Sequence, residues 1–231
     1  MTDIILSADR LVKRFGQTEA LRGIDIAVER GEILAILGPS GSGKSTLLHC
    51  LAGILPADTG SVAFDGRRID ELGEAERSQL RRTAFGFVFQ FGQLLPELPA
   101  IENVALPLLL DGVGRHEAAE RSQQALASVG IGALASALPG AMSGGEAQRV
   151  AVARALVARP RVVFADEPTG SLDSHNGSMV MERFTDLVRE AGTTLIVITH
   201  EPRVAAYADR EVIVRDGLIA GAERGLLAVA R

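Results

Sequence analysis

The stretch Gly38-Pro39-Ser40-Gly41-Ser42-Gly43-Lys44-Ser45-Thr46 constrains the fold of this chain more than any other. Before it, Glu32-Ile33-Leu34-Ala35-Ile36-Leu37 is an apolar run of strand length; after it, Ser45 to Ala52 opens a helix. A strand feeding a glycine-rich turn and then a helix aims several backbone N–H groups at one point. The positive end of the helix dipole adds to them, which makes the turn a cradle for phosphate. The stretch fits G-x-x-x-x-G-K-[ST], in which Lys44 can reach β- and γ-phosphates and the Ser45 hydroxyl can ligate Mg²⁺. A bound nucleoside triphosphate is the expectation.

Of 24 cationic side chains only Lys13 and Lys44 are lysine; the rest are arginine. A chain so biased toward arginine still places lysine in the loop. A compact ammonium on a flexible stem fits among phosphate oxygens where a broad planar guanidinium does not.

The 231 residues suit one large α/β domain or two small ones. A net charge of −5 suggests no general polyanion-binding surface, so no nucleic-acid partner is expected. The single cysteine, Cys50, excludes an intrachain disulfide and a cysteine-based zinc cluster, and a small buried thiol there suits a reducing compartment. Met1 to Ser7 lacks the basic and apolar regions of a signal peptide. Val104 to Leu110 is too short to span a bilayer, so the chain is expected to be soluble and to reach a membrane only through a partner.

Strands are expected at Ile4–Ser7, Gly23–Glu29, Ser61–Phe64 and Phe85–Phe89, with Asp65-Gly66 as a turn. Asp70 to Arg82 reads as a charged amphipathic helix. From Leu94 to Met142, alanine, leucine and polar residues recur at helical spacing, as in Glu117 to Val129, which marks a helical insertion. Val162–Ala165 and Thr194–Ile198 are continuous apolar runs separated by a helix from about Met179 to Glu190. Strands buried on both faces with an intervening helix indicate a parallel sheet. No internal repeat is present.

Further residues carry chemistry. The run from Val162 ends in Asp166 and Glu167; beside a phosphate loop, Asp166 can hold Mg²⁺ through water and Glu167 can polarise an attacking water. Met142-Ser143-Gly144-Gly145-Glu146 precedes a helix from about Ala147 to Ala158, which makes a second serine-glycine turn at a helix N-terminus. Gln90 ends the Phe85–Phe89 strand, where it either contacts Mg²⁺ and water or is an ordinary surface glutamine. His200 follows the apolar run ending at Thr199, where neutral imidazole can donate a hydrogen bond to a γ-phosphate. His49, His116 and His175 have no ligand spacing and read as structural or exposed.

In this order and at these spacings the motifs resemble those of the ATP-binding cassette ATPases, the nucleotide-binding subunits of ABC transporters, over essentially the whole chain. The Walker A loop matches Gly38 to Ser45, the Q-loop Gln90, and the signature Met142 to Glu146 followed by Gln148-Arg149. Walker B matches Val162 to Asp166 with Glu167 as the catalytic glutamate, the D-loop Ser171-Leu172-Asp173, and the switch histidine His200. Phe15 falls where the family places an adenine-stacking aromatic. Two positions depart: the signature usually begins with leucine and commonly ends in glutamine, where this chain has Met142 and Glu146. Methionine is a conservative packing replacement.

The resemblance implies a P-loop core with a mainly parallel sheet, an N-terminal antiparallel β subdomain and a helical subdomain, with core about 1–90 and 143–231 and helical part about 91–142. It implies an ATPase using Mg²⁺, peripheral on the cytoplasmic face of the cell membrane and bound to transmembrane permease subunits. Two cassettes pair head to tail, a homodimer being expected, and each ATP lies between the Walker A loop of one and Ser143, Gly144 and Gly145 of the other. Lys44 and Mg²⁺ stabilise charge, Glu167 orients water and His200 reads the γ-phosphate. Phe91 to Glu97, with Leu94 and Leu95, would receive the membrane subunits. Gly86 to Pro96 and Ile101 to Leu108 resemble the lipoprotein-releasing, macrolide-exporting and cell-division group. An ATP-gated regulatory partner of a membrane complex is the alternative. A chromosome-organising ATPase is rejected, because Gln90 to Ser143 holds no sustained heptads.

Overall fold

The computed structural model describes residues 3–90 and 92–224. In chain order the elements are β1 (Ile4–Phe15), β2 (Thr18–Glu29), β3 (Ile33–Leu37), α1 (Lys44–Leu51), β4 (Thr59–Phe64), β5 (Arg67–Arg68), α2 (Glu74–Thr83) and β6 (Phe85–Phe89). Then come α3 (Ala100–Leu110), α4 (Arg115–Ser128), 3-10 turns at Gly132–Leu134 and Pro139–Ala141, α5 (Gly144–Leu156), β7 (Val162–Asp166) and α6 (Ser174–Ala191). The last elements are β8 (Thr194–Ile198), α7 (Pro202–Ala205), β9 (Arg210–Arg215) and β10 (Leu218–Arg224). The chain divides into two compact units, 1–81 with 194–231, and 82–193.

The first unit carries an antiparallel sheet of order β2-β1-β4-β5 and a group of strands in the order β10-β9-β3-β8. β3 runs parallel to both neighbours, with Ile36 opposite Ile198 on one side and Val212 on the other. Ile33 to Ile36 are fully buried, as continuous apolar runs between two covered faces require. β9 and β10 form an antiparallel hairpin about Asp216-Gly217. β1 is three times the length of the Ile4–Ser7 strand expected from sequence. It pairs with β2 along its length and with β4 as far as Val12, so Lys13 to Phe15 are held by the β2 ladder and not by apolar alternation. α2 starts at Glu74, four residues later than its charge pattern suggests. The Asp70 carboxylate is engaged outside the helix, accepting from Val62 N–H at 2.9 Å and pairing with Arg68. Cys50 is buried in α1, and burial pushes its thiol up to about 11.

The second unit is built on the parallel pair β6–β7 and four helices. Register places Phe87 opposite Phe164, and their rings stack at 5.7 Å. Phe85 meets Phe164 edge-on at 5.1 Å, a favoured aromatic geometry. α6 begins five residues before Met179, because Asp173 caps it by accepting the N–H groups of His175 and Asn176. It ends at Gly192, whose left-handed φ of 63° closes the last turn. Its buried face is Val180, Met181, Phe184 and Val188. The antiparallel sheet near the N-terminus, the parallel strands and the helices of 94–142 all match the fold class read from the sequence.

β6 lies so close to α5 that a Cβ at Gly86 would sit 2.4 Å from the Ala155 carbonyl oxygen. The backbone cannot absorb that contact without moving strand or helix. Gly86→Ala should therefore lower unfolding stability by roughly 1–3 kcal/mol in urea titrations.

Candidate functional site

In the first unit, β3 stops at Leu37 and α1 begins at Lys44, and Gly38 to Gly43 make the turn between them. Two backbones press on that turn. A Cβ at Gly38 would meet the Val214 carbonyl oxygen at 2.1 Å, and one at Gly43 the Ala20 oxygen at 2.4 Å. Gly43 also has φ 104°, a conformation that L-residues resist, so glycine is dictated at both positions. Pro39, Ser40, Gly41 and Ser45 are exposed at the rim, Gly38 and Thr46 half-buried.

The Lys44 ammonium is 6% exposed and donates to the carbonyls of Gly38 and Pro39 at 2.8 and 2.9 Å. The loop is thus pre-shaped around a positive charge. Ser42 lies beside it, 4% exposed, and its hydroxyl has no hydrogen-bond partner. A buried orphan hydroxyl, a caged ammonium and the uncapped N-terminus of α1 are together a site for an anion. Next to Gly41 an open depression of about 750 Å³ is lined by Gly16, Gln17, Thr18 and Ala20. Phe15, at the end of β1, is 51% exposed, and the Lys13 ammonium stands 5.7 Å from its ring centre. His200 is exposed just beyond the end of β8.

In the second unit, register sets Phe89 opposite Asp166, so Gln90 and Glu167 leave adjacent strands at the same level. Asp166 and Glu167 are half-buried, and Glu167 has φ 47°. A left-handed glutamate directly after a buried strand is a strained conformation of the kind that clusters at working sites. Ser171 donates its hydroxyl to the Gln90 carbonyl at 2.8 Å, and a Cβ at Gly170 would lie 2.8 Å from Gln90 Nε2. The segment with Ser171, Leu172 and Asp173 therefore packs on Gln90. It also touches the second serine-glycine turn: a Cβ on Gly144 would meet Leu172 at 3.3 Å, and one on Gly145 would meet Asn176 at 3.6 Å.

α5 starts at Gly144, three residues before the expected Ala147, because Ser143 and Glu146 form a reciprocal capping box. The Glu146 carboxylate accepts the Ser143 N–H at 2.8 Å and its hydroxyl at 2.7 Å, while Ser143 Oγ accepts the Glu146 N–H at 3.3 Å. Those two donors hold the Glu146 carboxyl below its ordinary range. Met142 is half-buried just ahead of the cap, as a packing residue would be.

The sequence marks Gln148 only as a residue that follows the signature and does not single out Arg154. Gln148 is 1% exposed and donates to the Phe89 carbonyl at 3.0 Å; Arg154 donates to the carbonyls of Gly92 and Gln93 at 2.6 and 2.9 Å. A glutamine at a buried position of an apolar helix was the available signal. Leu95 is 46% exposed and Leu94 half-buried, whereas Phe91 lies outside the described residues.

The ABC transporter family model matches residues 21–170, which takes in the phosphate loop, Gln90, the Ser143 turn and Asp166. The chain belongs to the ABC transporter ATP-binding family. It is an ATPase subunit of that family. It is 45% identical over 215 residues to the lipoprotein-releasing system ATP-binding protein LolD of Bacteroides thetaiotaomicron, covering 93% of this chain and 99% of that one. The corresponding Legionella pneumophila (strain Paris) protein is 42% identical, over 94% of this chain and 97% of its own. A dimeric ATP-binding cassette in a post-hydrolysis state with ADP and Pi superposes with TM-score 0.88 at 34% identity, over 95% of this chain and 98% of that chain. A cassette from an ABC transporter complex of Clostridium perfringens also gives 0.88, at 32% identity, over 96% and 89%. No helix among the described residues is long and apolar enough to cross a membrane.

For this ABC cassette the capping box makes a pH prediction. A depressed carboxyl stabilises the fold above its unfolded value of 4.5, and the contribution is lost as pH falls through the lower folded value. Wild type should therefore lose more melting temperature than Glu146→Gln between about pH 5 and 3, by thermal scans of both proteins.

Proposed function

We propose that this subunit powers a lipoprotein-releasing type of ABC complex, hydrolysing ATP while seated on separately encoded membrane subunits at the cytoplasmic face of the membrane. The observation that carries the reading is the overlap with LolD proteins along nearly the full length of both chains. Exposed Leu95, just past Gln90, supplies an apolar contact for a membrane subunit.

In this reading two cassettes pair head to tail, in keeping with the dimeric relatives. The Gly38–Thr46 loop of one copy holds the phosphates; Ser143, Gly144, Gly145 and Glu146 of the other present the capped end of α5 to the same nucleotide. Lys44 exchanges the Gly38 and Pro39 carbonyls for β- and γ-phosphate oxygens, which are stronger, charged acceptors. The Ser42 hydroxyl gains the partner it lacks. Phe15 offers its open face to adenine, and His200 a hydrogen bond to the γ-phosphate.

Among the described residues no cluster of three acids, histidines or cysteines could hold a metal by itself. Oxygen donors from Ser45, Gln90 and water-bridged Asp166 suit Mg²⁺ arriving on the nucleotide, where it neutralises phosphate charge. Glu167 accepts a proton from the attacking water and aligns it on the γ-phosphorus. Ser171, Leu172 and Asp173 link the Gln90 and Ser143 turns within one copy.

Two substitutions separate binding from chemistry. Glu167→Gln should bind ATP with Mg²⁺, lose on the order of 10²-fold or more in turnover and accumulate as a dimer by size exclusion. Near-wild-type turnover would sink the role given to Glu167. Lys44→Ala should weaken ATP binding at least roughly tenfold in equilibrium titrations, since a charge-assisted pair of contacts is removed.

A further inference from the structure

The backbone that follows Gln90 is fastened to the helix that follows Ser143. Gln148 reaches from α5 to the Phe89 carbonyl, the last of β6, at 3.0 Å. Gly92 lies flat on the same helix: a Cβ there would be 3.5 Å from both the Ala147 carbonyl oxygen and Gln148 Oε1. Gly92 and Gln93 both have left-handed φ, 65° and 45°, and the second is strained for a residue with a side chain. That conformation turns both carbonyls toward Arg154, whose guanidinium takes one with each terminal nitrogen. A planar fork with two fixed donors suits two carbonyls in fixed relation, whereas a lysine ammonium is a point charge on a flexible stem and fixes their relation less firmly.

The fastening continues outward. Asn103, fully buried on α3, accepts the Leu95 N–H at 2.8 Å and donates to the carbonyls of Leu95 and Leu98 at 3.0 and 2.8 Å. From Gly92 to Leu98 the chain has little length free to flex alone. α5 is a 13-residue helix with Ser143 at its cap, so Arg154 sits about 16 Å along a stiff rod from that serine.

We propose that Arg154, assisted by Gln148, is the positioning residue that makes the Gly92–Leu98 backbone and the Ser143 turn move as one body. A displacement at Leu95 then reaches the serine-glycine turn through the helix and needs no loop rearrangement. The proposal rests on the roles given above to Ser143 and to Leu95. Arg154 touches neither nucleotide nor water; it acts through the position of α5.

The test is hydrogen–deuterium exchange on the full-length Glu167→Gln chain, with and without MgATP, compared with the same chain carrying Arg154→Lys. In the parent, ATP should slow exchange in both 92–98 and 143–148. In Arg154→Lys, protection should persist at 143–148 and fall about threefold or more at 92–98. In the otherwise wild-type chain the same substitution should lower kcat about tenfold with KM for ATP within about twofold. Equal protection of both segments in the variant would overturn the proposal, as would a lowered melting temperature with kcat unchanged. If Arg154→Lys does not fold, Gln148→Met, which removes the Phe89 contact at similar volume, is judged by the same comparison. Absence of ATP protection at 143–148 in the parent would instead reject the head-to-tail pairing, and the clamp with it.

Discussion

Burial of four short strands on both faces is the constraint on which the rest depends. β3 and β8 in one unit, and β6 and β7 in the other, have interiors almost wholly withdrawn from water. Such a strand cannot slide without dragging polar flanks into the core, so its end is fixed in space. The residues proposed for the chemistry stand at those ends. Leu37 hands over to Gly38, Ile198 to Thr199 and His200, Phe89 to Gln90, and Asp166 closes β7 itself. Residues on or beside rigid strand ends are placed more tightly than residues on loops, which phosphoryl transfer demands because positioning does most of its work.

Close backbone approach supplies the second level of control. The carbonyls of Ala20 and Val214 press on Gly43 and Gly38, and that of Ala155 presses on Gly86. Each contact excludes even a methyl group, so these glycines answer to neighbours distant in sequence. By contrast, the many arginine–carboxylate pairs, such as Arg14–Glu19 and Arg67–Glu76, are solvent-exposed and contribute little apiece. The arginines that matter to the architecture donate to carbonyls, as Arg154 and Arg183 do.

Much of the candidate site was legible because its signals are local. The phosphate loop, Asp166-Glu167 and Ser143-Gly144-Gly145 each join a strand or helix boundary to a distinctive residue set, and short-range physics suffices to read them. Helix starts were read late at α5 and α6, since Ser143 and Asp173 act through caps and the apolar periodicity begins only further in. α2 was read early because Asp70 looks helical in a charged run while its carboxylate serves Val62 and Arg68. The second half of β1 was missed for the opposite reason: Lys13 and Arg14 are held by pairing with Leu21 and Glu19 of β2.

By itself the sequence determined the family's motifs and the candidate chemistry: a lysine among glycines after a buried strand, two acids at the end of another, and the order in which they occur. Those features follow from residue type and spacing, which local backbone physics converts directly into cradles and strand ends. Only the tertiary structure decided which side chains hold those pieces together. Gln148, Arg154 and Asn103 lie far along the chain from some of the carbonyls they satisfy or sit on unremarkable helices, and a hydrogen bond across such a gap leaves no pattern in composition or periodicity. It exists because folding brings unpaired backbone oxygens and buried donors to the same place, where leaving either unmatched would cost more than ordering both.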